Sequence, residues 1–398
     1  MSSLSLSKSI VERGGKGFVE LSVAEKPLPT ESELEDDQLL VAIEAAPINP
    51  SDIGPIFAPS YGGIGRFDGI ELTTDAAGRS VAALPVPDKT FAGMKGTRAV
   101  GRAVKLGNEG AGRVILAGKS AAAQRLKGKL VAAMGMGGSY AQHAICRVSQ
   151  CLEHNEGTSA EDAASSFVNP LTALGMVKTM RAEGHTGIVH TAAASQLGQM
   201  LVKICLADGV PLVNVVRRPE QVALLKSIGA EHVVDSSAST YKKDLVAAMM
   251  ASDATICFDA TGGGTLGYEI VSAMETAAVR NPKAGRAVDG YGSATFKKLY
   301  VYGGLNAGEP MMLRPHGGMG GFSWGVAGFL LGVGDAAITA EDKQRVADEI
   351  TSTFSTVYSR HITLEQMLDP AIMAEYQKQQ SNNKALVTPF ATAPAAKL

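Results

Sequence analysis

Long apolar runs are missing from this chain of 398 residues. No stretch approaches the roughly 20 apolar residues of a membrane-spanning helix, so no membrane partner is expected. Cysteine is scarce: Cys146, Cys151, Cys205 and Cys257 are the four present, and none makes a Cys-x-x-Cys pair. Free buried thiols in a reducing compartment are the simplest account. Excess charge of either sign is also lacking. The net charge of −2 argues against a broad surface for nucleic acid or anionic lipid. Residues 1–17 are hydroxyl-rich with few charges and lack the apolar block of a signal peptide. The cytoplasm is the expected location, with weak organelle targeting as the alternative. What the chain does have is length for two domains, 45% hydrophobic residues to bury, and 45 glycines against only 19% charged residues. That mix suits a turn-rich α/β enzyme.

Residues 18–48 alternate and end in a run from Gln38 to Pro47 that predicts strands. Residues 53–105 are rich in Gly, Pro and Ala with little periodicity and predict a long loop or insertion. Further strands are expected after Gly107, over Lys129 to Met134 and over Gly137 to Cys146. Ala160 to Arg181 predicts two helices with a break at Asn169-Pro170. From Gly187 to about Leu305 the pattern alternates between strand and helix, with strands that include Ala254 to Asp259 and Lys298 to Tyr302. Residues 277–297 look like an exposed loop. Residues 340–358 predict an amphipathic helix, and Lys384 to Pro389 a closing strand. The expected plan is α/β. It has a β-rich first domain over 1–170, a doubly wound parallel sheet over 171–310, and a return to the first domain over 311–398.

The most informative stretch is 187–235. Ile188 and Val189 open a strand, a small-residue turn follows, and Leu197, Leu201, Ile204 and Cys205 mark a helix. A second strand runs from Leu212 to Val216. On Gly-x-Gly-x-x-Gly spacing the positions are Ala193, Ser195 and Gly198, so only the last glycine is present. Small residues there let the backbone approach a pyrophosphate at a helix N-terminus. The candidate cradle is Ala193, Ala194, Ser195, Gln196, Leu197 and Gly198. An acid about 20 residues on would bind the ribose hydroxyl of NAD. Arg217 and Arg218 stand there instead, which suits the 2′-phosphate of NADPH.

The order of landmarks resembles the medium-chain dehydrogenase/reductase superfamily. The landmarks are Asn49-Pro50-Ser51-Asp52, Gly107-Asn108-Glu109-Gly110-Ala111-Gly112, Gly138-Ser139-Tyr140-Ala141, Asn169-Pro170-Leu171-Thr172-Ala173, the fingerprint, and Ser227-Ile228-Gly229-Ala230. Asn214-Val215-Val216-Arg217 followed by Ser227 to Val234 is similar to the zinc-free branch of quinone oxidoreductases and mitochondrial-type enoyl thioester reductases. The resemblance implies a GroES-like β-barrel domain plus a Rossmann domain, and often a homodimer joined at the Rossmann sheet edge. Positions that hold catalytic zinc in relatives match Pro50 or Ser51, Asn108 and Asn169 here. None of these is a competent soft ligand, so no metal is expected.

Conjugate reduction needs no metal. Hydride goes to the β-carbon of a C=C bond conjugated to a carbonyl, donors hold the enolate oxygen, and the α-carbon takes a proton. The resemblance implies Tyr61, nine residues beyond Asp52, as proton donor or enolate stabiliser; a loop tyrosine can also be plain surface. Asn49 joins the candidate catalytic set as a polar wall or loop-fixing group. Thr172 is implied at the nicotinamide, as are Tyr302, Gly303, Gly304 and Leu305 after a strand end, with Thr261 near the glycine triplet 262–264. Phe322, Trp324 and Phe329 could wall a substrate pocket or an interface. The expected substrate is a small molecule: an enone, an enoyl thioester or a quinone. A non-catalytic NADP-binding sensor is the reading from another class.

Overall fold

The structure, a computed structural model, describes residues 2–57, 69–135, 138–280, 288–306, 308–311, 321–326, 337–378 and 383–391. The chain divides into two compact units, Met1–Val168 with Gln344–Leu398, and Asn169–Lys343.

The first unit is built from two largely antiparallel sheets, of five and seven strands. The hydroxyl-rich N-terminus is part of it, because serine and leucine alternate from Ser3 to Ser7. The strand Ser2–Arg13 pairs antiparallel with Lys16–Pro27 and sends Leu6 and Ile10 into the core. Gly14 and Gly15, both at positive φ (55° and 82°), make the two-residue turn between them. Within the described residues of 53–105 the expected loop is corrected; residues 58–68 of that expectation lie outside them. The segment holds the end of the helix Pro50–Phe57, the strands Glu71–Thr74 and Ser80–Val86, the helix Asp88–Met94 and the strand Val104–Lys105. Ala and Pro have low strand propensity and hide the pattern. Tertiary burial of Val81, Ala82, Ala83 and Leu84 against the strand Lys16–Pro27 overrides it. In the second sheet the strand Gln38–Pro47 pairs with Glu109–Ala117, with His143–Arg147 and with the closing strand Ala385–Val387.

The second unit carries a six-stranded parallel sheet. In chain order its strands are Ile188–Thr191, Leu212–Val216, His232–Asp235, Ile256–Asp259, Lys297–Val301 and Phe322–Val326. In space they lie third, second, first, fourth, fifth, sixth, the doubly wound order of dinucleotide-binding sheets. Such strands are covered on both faces, which is why they read as continuous apolar runs. The expected boundary at 310 is corrected to Lys343, since Phe322–Val326 pairs in parallel with Lys297–Val301.

Three helix and loop expectations are refined. The two expected helices are present as Ala160–Ala163 and Val168–Ala182, but the break precedes Asn169-Pro170, which lies in the first turn of the second, where proline removes no needed donor. The C-terminal helix is Ala340–Asp348 and stops ten residues early. Ser352 bonds the Glu349 carbonyl there, an alternative to helical pairing. Of the exposed loop expected over 277–297, the described residues form the end of the helix Leu266–Arg280, a short hairpin at Val288–Asp289 and Gly292–Ser293, and the start of the next strand at Lys297; residues 281–287 lie outside the described residues. A buried ion pair between Lys297 and Glu275 fixes this corner, and Glu275 also accepts from the Ser293 N–H and hydroxyl at 2.7 Å each.

Breaking a buried pair leaves the partner charge uncompensated. Lys297→Met should therefore cost about 3–5 kcal/mol in urea unfolding, and adding Glu275→Leu should recover much of it. A single-variant loss below about 1 kcal/mol would show that the pair does not anchor the hairpin.

Candidate active site

In an open α/β sheet, ligands bind beyond the carboxyl ends of the strands where the strand order reverses. Here that point lies between Ile188–Thr191 and Ile256–Asp259. The two strand ends are tied side chain to side chain. The Thr191 hydroxyl donates to Asp259 Oδ1 at 2.6 Å and accepts from the Ala260 N–H at 2.8 Å. Asp259 Oδ1 also accepts from the Thr261 N–H and hydroxyl at 2.9 and 2.6 Å, and its Oδ2 from the Gly262 N–H at 3.1 Å. Thr261 is thereby committed to shaping the turn. Tyr302, after the next strand, shares a 2.6 Å hydrogen bond with His190 Nε2 and stacks on the imidazole with ring centroids 5.9 Å apart. Burial holds His190 down at about 4, so it is neutral at physiological pH.

The fingerprint turn leaves Thr191 through Ala192, at φ 50°, a left-handed conformation that favours glycine. Ala193 and Ala194 are buried, and Ser195 is the N-cap of the helix Gln196–Asp208, its hydroxyl accepting from the Gly198 N–H at 3.1 Å. This leaves the first-turn N–H groups of Gln196 and Leu197 at the helix end, where donors have no intrahelical partner. The Gly198 position admits no side chain, since a Cβ would lie 2.1 Å from the Ala193 carbonyl oxygen. Helix and turn therefore pack backbone to backbone, as a pyrophosphate cradle requires. Arg217 and Arg218 follow directly on the strand Leu212–Val216 and are exposed. Arg218 is paired with Glu220 at 3.1 Å, a half-exposed contact that water and salt weaken. Across the sheet, a Cβ on Gly303 would meet the Ala260 oxygen at 2.4 Å, Gly304 borders open space, and Leu305 is 45% exposed. Thr172 is half-buried in the second turn of Val168–Ala182, past the cap position.

The first unit holds the remaining motif residues in a buried polar corner. Asn49 Nδ2 donates to Glu109 Oε1 at 2.8 Å, and the Asn49 N–H donates to Asp52 Oδ2 at 2.9 Å. The Asn108 N–H donates to Asp52 Oδ1 at 2.9 Å, while its side chain reaches the Ser51 hydroxyl. Glu109 Oε2 accepts from the Phe167 and Val168 N–H groups at 2.8 and 2.9 Å. Buried Lys384 bonds the Ser165 hydroxyl at 2.9 Å. Asn49 thus fixes a loop and a carboxylate. Burial raises the Asp52 carboxyl to about 7, with Glu109 adding to the shift, and raises Glu109 too. Burial lowers Lys384 to about 8, against the pull of Glu109 and Asp52.

Tyr61 and Phe329 lie outside the described residues, and Trp324 is described only as part of the strand Phe322–Val326. The sequence reading missed the bridge between Thr191 and Asp259 and the Lys384 contact. A strand-end Asp followed by Thr and three glycines was the available signal for the first; nothing local marks the second.

No family model matches the chain. It is 28% identical over 220 residues to a mitochondrial enoyl-(acyl-carrier-protein) reductase of Caenorhabditis elegans, covering 54% of this chain and 51% of the relative. It is 25% identical over 161 residues to a quinone oxidoreductase of Pseudomonas aeruginosa, covering 40% and 50%. The chain thus spans about half the length of these curated relatives. Among solved structures, one described as an NADPH:quinone reductase from Mesorhizobium loti matches with a TM-score of 0.65 at 22% identity over 98% of both chains. A mutant enoyl thioester reductase from Candida tropicalis matches at 0.63 and 16%, over 98% of this chain and all of that one. The chain shares its fold with these solved structures, and the curated relatives that it resembles in sequence are named quinone and enoyl reductases.

Both corner carboxyls bind their protons more tightly in the folded chain. Between the ordinary Asp value of 3.8 and about 7, the folded state holds more protons than the unfolded one, so stability falls as pH rises through that window. Asp52→Asn should flatten the fall by an amount on the order of 1 kcal/mol or more, read by urea unfolding at about pH 5 and about pH 7.5. An unchanged slope would remove Asp52 as its source.

Proposed function

We propose that the protein is an NADPH-dependent oxidoreductase that reduces a conjugated C=C bond of an enone or 2-enoyl thioester without zinc. The carrying observation is the second unit's strand-order switch point, with a glycine at 198 that admits no Cβ and two arginines at the end of the second strand. These residues fit a dinucleotide. Gln196 and Leu197 N–H groups would face the pyrophosphate, and Arg217 with Arg218 the 2′-phosphate. The backbone at Gly303, Gly304 and Leu305, with Thr172, would border the nicotinamide. When bound, NADPH supplies the hydride.

The chain's own groups do the rest. Thr191, Asp259 and Thr261 hold the two central strand ends at fixed spacing, so the cradle is formed before the cofactor arrives. His190 and Tyr302 are bonded to each other, which gives them a supporting part beneath the site. Asn49 positions Glu109 and Asp52. Tyr61 Oη is assigned to hold the enolate oxygen or to protonate the α-carbon. The zinc-free reading is supported by Ser51, Asn108 and Asn169 at the ligand positions, and by the 3.1 Å bond between Asn108 and Ser51. A quinone substrate is the second reading, favoured by the names of two of the similar proteins. We place the enzyme in the cytoplasm. No described helix is long and apolar enough to cross a membrane. We also propose a homodimer through Phe322–Val326, the outermost strand of the parallel sheet among the described residues.

NADPH consumption against a quinone, a simple enone and a trans-2-enoyl-CoA tests the reading. Turnover of the enone or enoyl-CoA is expected, and turnover of the quinone alone would transfer the protein to the second reading. Tyr61→Phe should lower that turnover without abolishing NADPH binding; unchanged turnover would take Tyr61 out of the mechanism. Arg217→Ala with Arg218→Ala should weaken NADPH binding by about tenfold or more while NADH binding stays nearly unchanged. Equal losses for both cofactors would sink the phosphate assignment.

A further inference from the structure

Cys146 and Cys151 lie outside both halves of the candidate site and have no part in the proposed reaction. Cys146 is the fourth residue of the strand His143–Arg147, and Cys151 opens the strand Cys151–Glu153. The chain turns between them in one 3-10 turn, Val148–Gln150. Two side-chain bonds fix that turn: the Arg147 N–H donates to Gln150 Oε1 at 2.8 Å, and Gln150 Nε2 donates to the Gly135 carbonyl at 2.9 Å. The result brings the two sulfurs to 3.3 Å. Their residues are only 2% and 8% exposed, yet the turn above them, with Arg147 and Ser149 exposed, lies at the surface. Cys205 and Cys257 belong to the other unit, on the helix Gln196–Asp208 and the strand Ile256–Asp259.

A disulfide has an S–S distance of about 2.05 Å. Closing this pair therefore needs an approach of about 1.3 Å, within the reach of side-chain rotation. We infer that Cys146 and Cys151 form an oxidisable dithiol that closes to an intramolecular disulfide when a small hydroperoxide reaches it. One sulfur attacks a peroxide oxygen and the O–O bond breaks, giving a sulfenic acid and water. The second sulfur then forms the S–S bond and displaces the sulfenic oxygen, which leaves as a second water. The two thiols lose two electrons and two protons in all, and hydrogen peroxide takes up both to become two waters. The contact with Cys151, together with burial, keeps the Cys146 proton on well above the ordinary thiol range. Oxidation is accordingly slow, rises with pH and admits small oxidants before bulky ones. The same turn leads back to the polar corner, because the Gly135 N–H donates to the Asn108 carbonyl at 3.2 Å.

The folded protein is treated with hydrogen peroxide, unfolded, labelled with a maleimide and mapped as peptides. The expected result is loss of label from two of the four thiols, a cross-link joining Cys146 to Cys151, and full recovery of label after dithiothreitol. Cys205 and Cys257 should stay labelled. Cys146→Ala, which buries no new polar group, should show no cross-link. Four labelled thiols after peroxide, a cross-link through Cys205 or Cys257, or irreversible oxygen adducts in place of the cross-link would each overturn the inference. The wild-type map decides the matter even if the variant does not fold.

Discussion

The first unit is organised around one buried carboxylate. Glu109 stands at the head of its strand with no exposed surface and accepts three hydrogen bonds, from Asn49, Phe167 and Val168. A carboxyl so placed is tolerated only when its oxygens are hydrogen-bonded. Meeting that demand draws together three distant parts of the chain. Asn49 lies between the strand Gln38–Pro47 and the helix Pro50–Phe57 that carries Asp52. Phe167 and Val168 are the last residues before the chain leaves for the second unit. Lys384, at the foot of the closing strand, is buried and pulls electrostatically on the same carboxylate. The corner is thus the point where the N-terminal strands, the exit of the chain and its return are all registered.

The second unit solves a comparable problem with a neutral partner. Thr191 and Asp259 bridge the two strands at which the order of the sheet reverses, and Asp259 then organises the turn through Thr261 and Gly262. These bonds set the spacing of the two strand ends. Some strain is left beside them. Ala192 sits at φ 50°, a conformation that costs a residue with a Cβ roughly 1–2 kcal/mol. Strain of this kind concentrates at binding sites, where the surroundings over-determine the backbone. The substitution of Ala and Ser for glycine in the fingerprint is thereby absorbed. Ser195 serves as an N-cap, while Gly198, at the closest approach, cannot be replaced.

How much of this was legible depended on burial. The parallel strands are covered on both faces, so Leu212–Val216 and Ile256–Asp259 are continuous apolar runs that a reader of the sequence can find. The helix that follows the fingerprint announces itself through Leu197, Leu201 and Ile204. The strand Ser80–Val86 does not, because Ala82, Ala83 and Pro85 have weak strand preference and acquire it only by pairing with the strand Lys16–Pro27. Lys297 and Glu275 were equally hidden. Charged residues in a glycine-containing stretch look solvated until the helix Leu266–Arg280 brings the carboxylate to the lysine.

The sequence by itself determined the two-domain α/β plan, the place of the small-residue turn between strand and helix and the arginine pair beyond it, because these follow from local spacing and periodicity. Only the tertiary structure decided that Thr191 meets Asp259, that Glu109 gathers Asn49 with Phe167 and Val168, and that Cys146 meets Cys151. The first two join residues about 60 to 70 positions apart. The third joins residues only five apart, but across a turn whose geometry is set by Gln150 reaching to Gly135. Each depends on strand pairing and on the cost of leaving a buried polar group unsatisfied. Neither is written in any local stretch of chain.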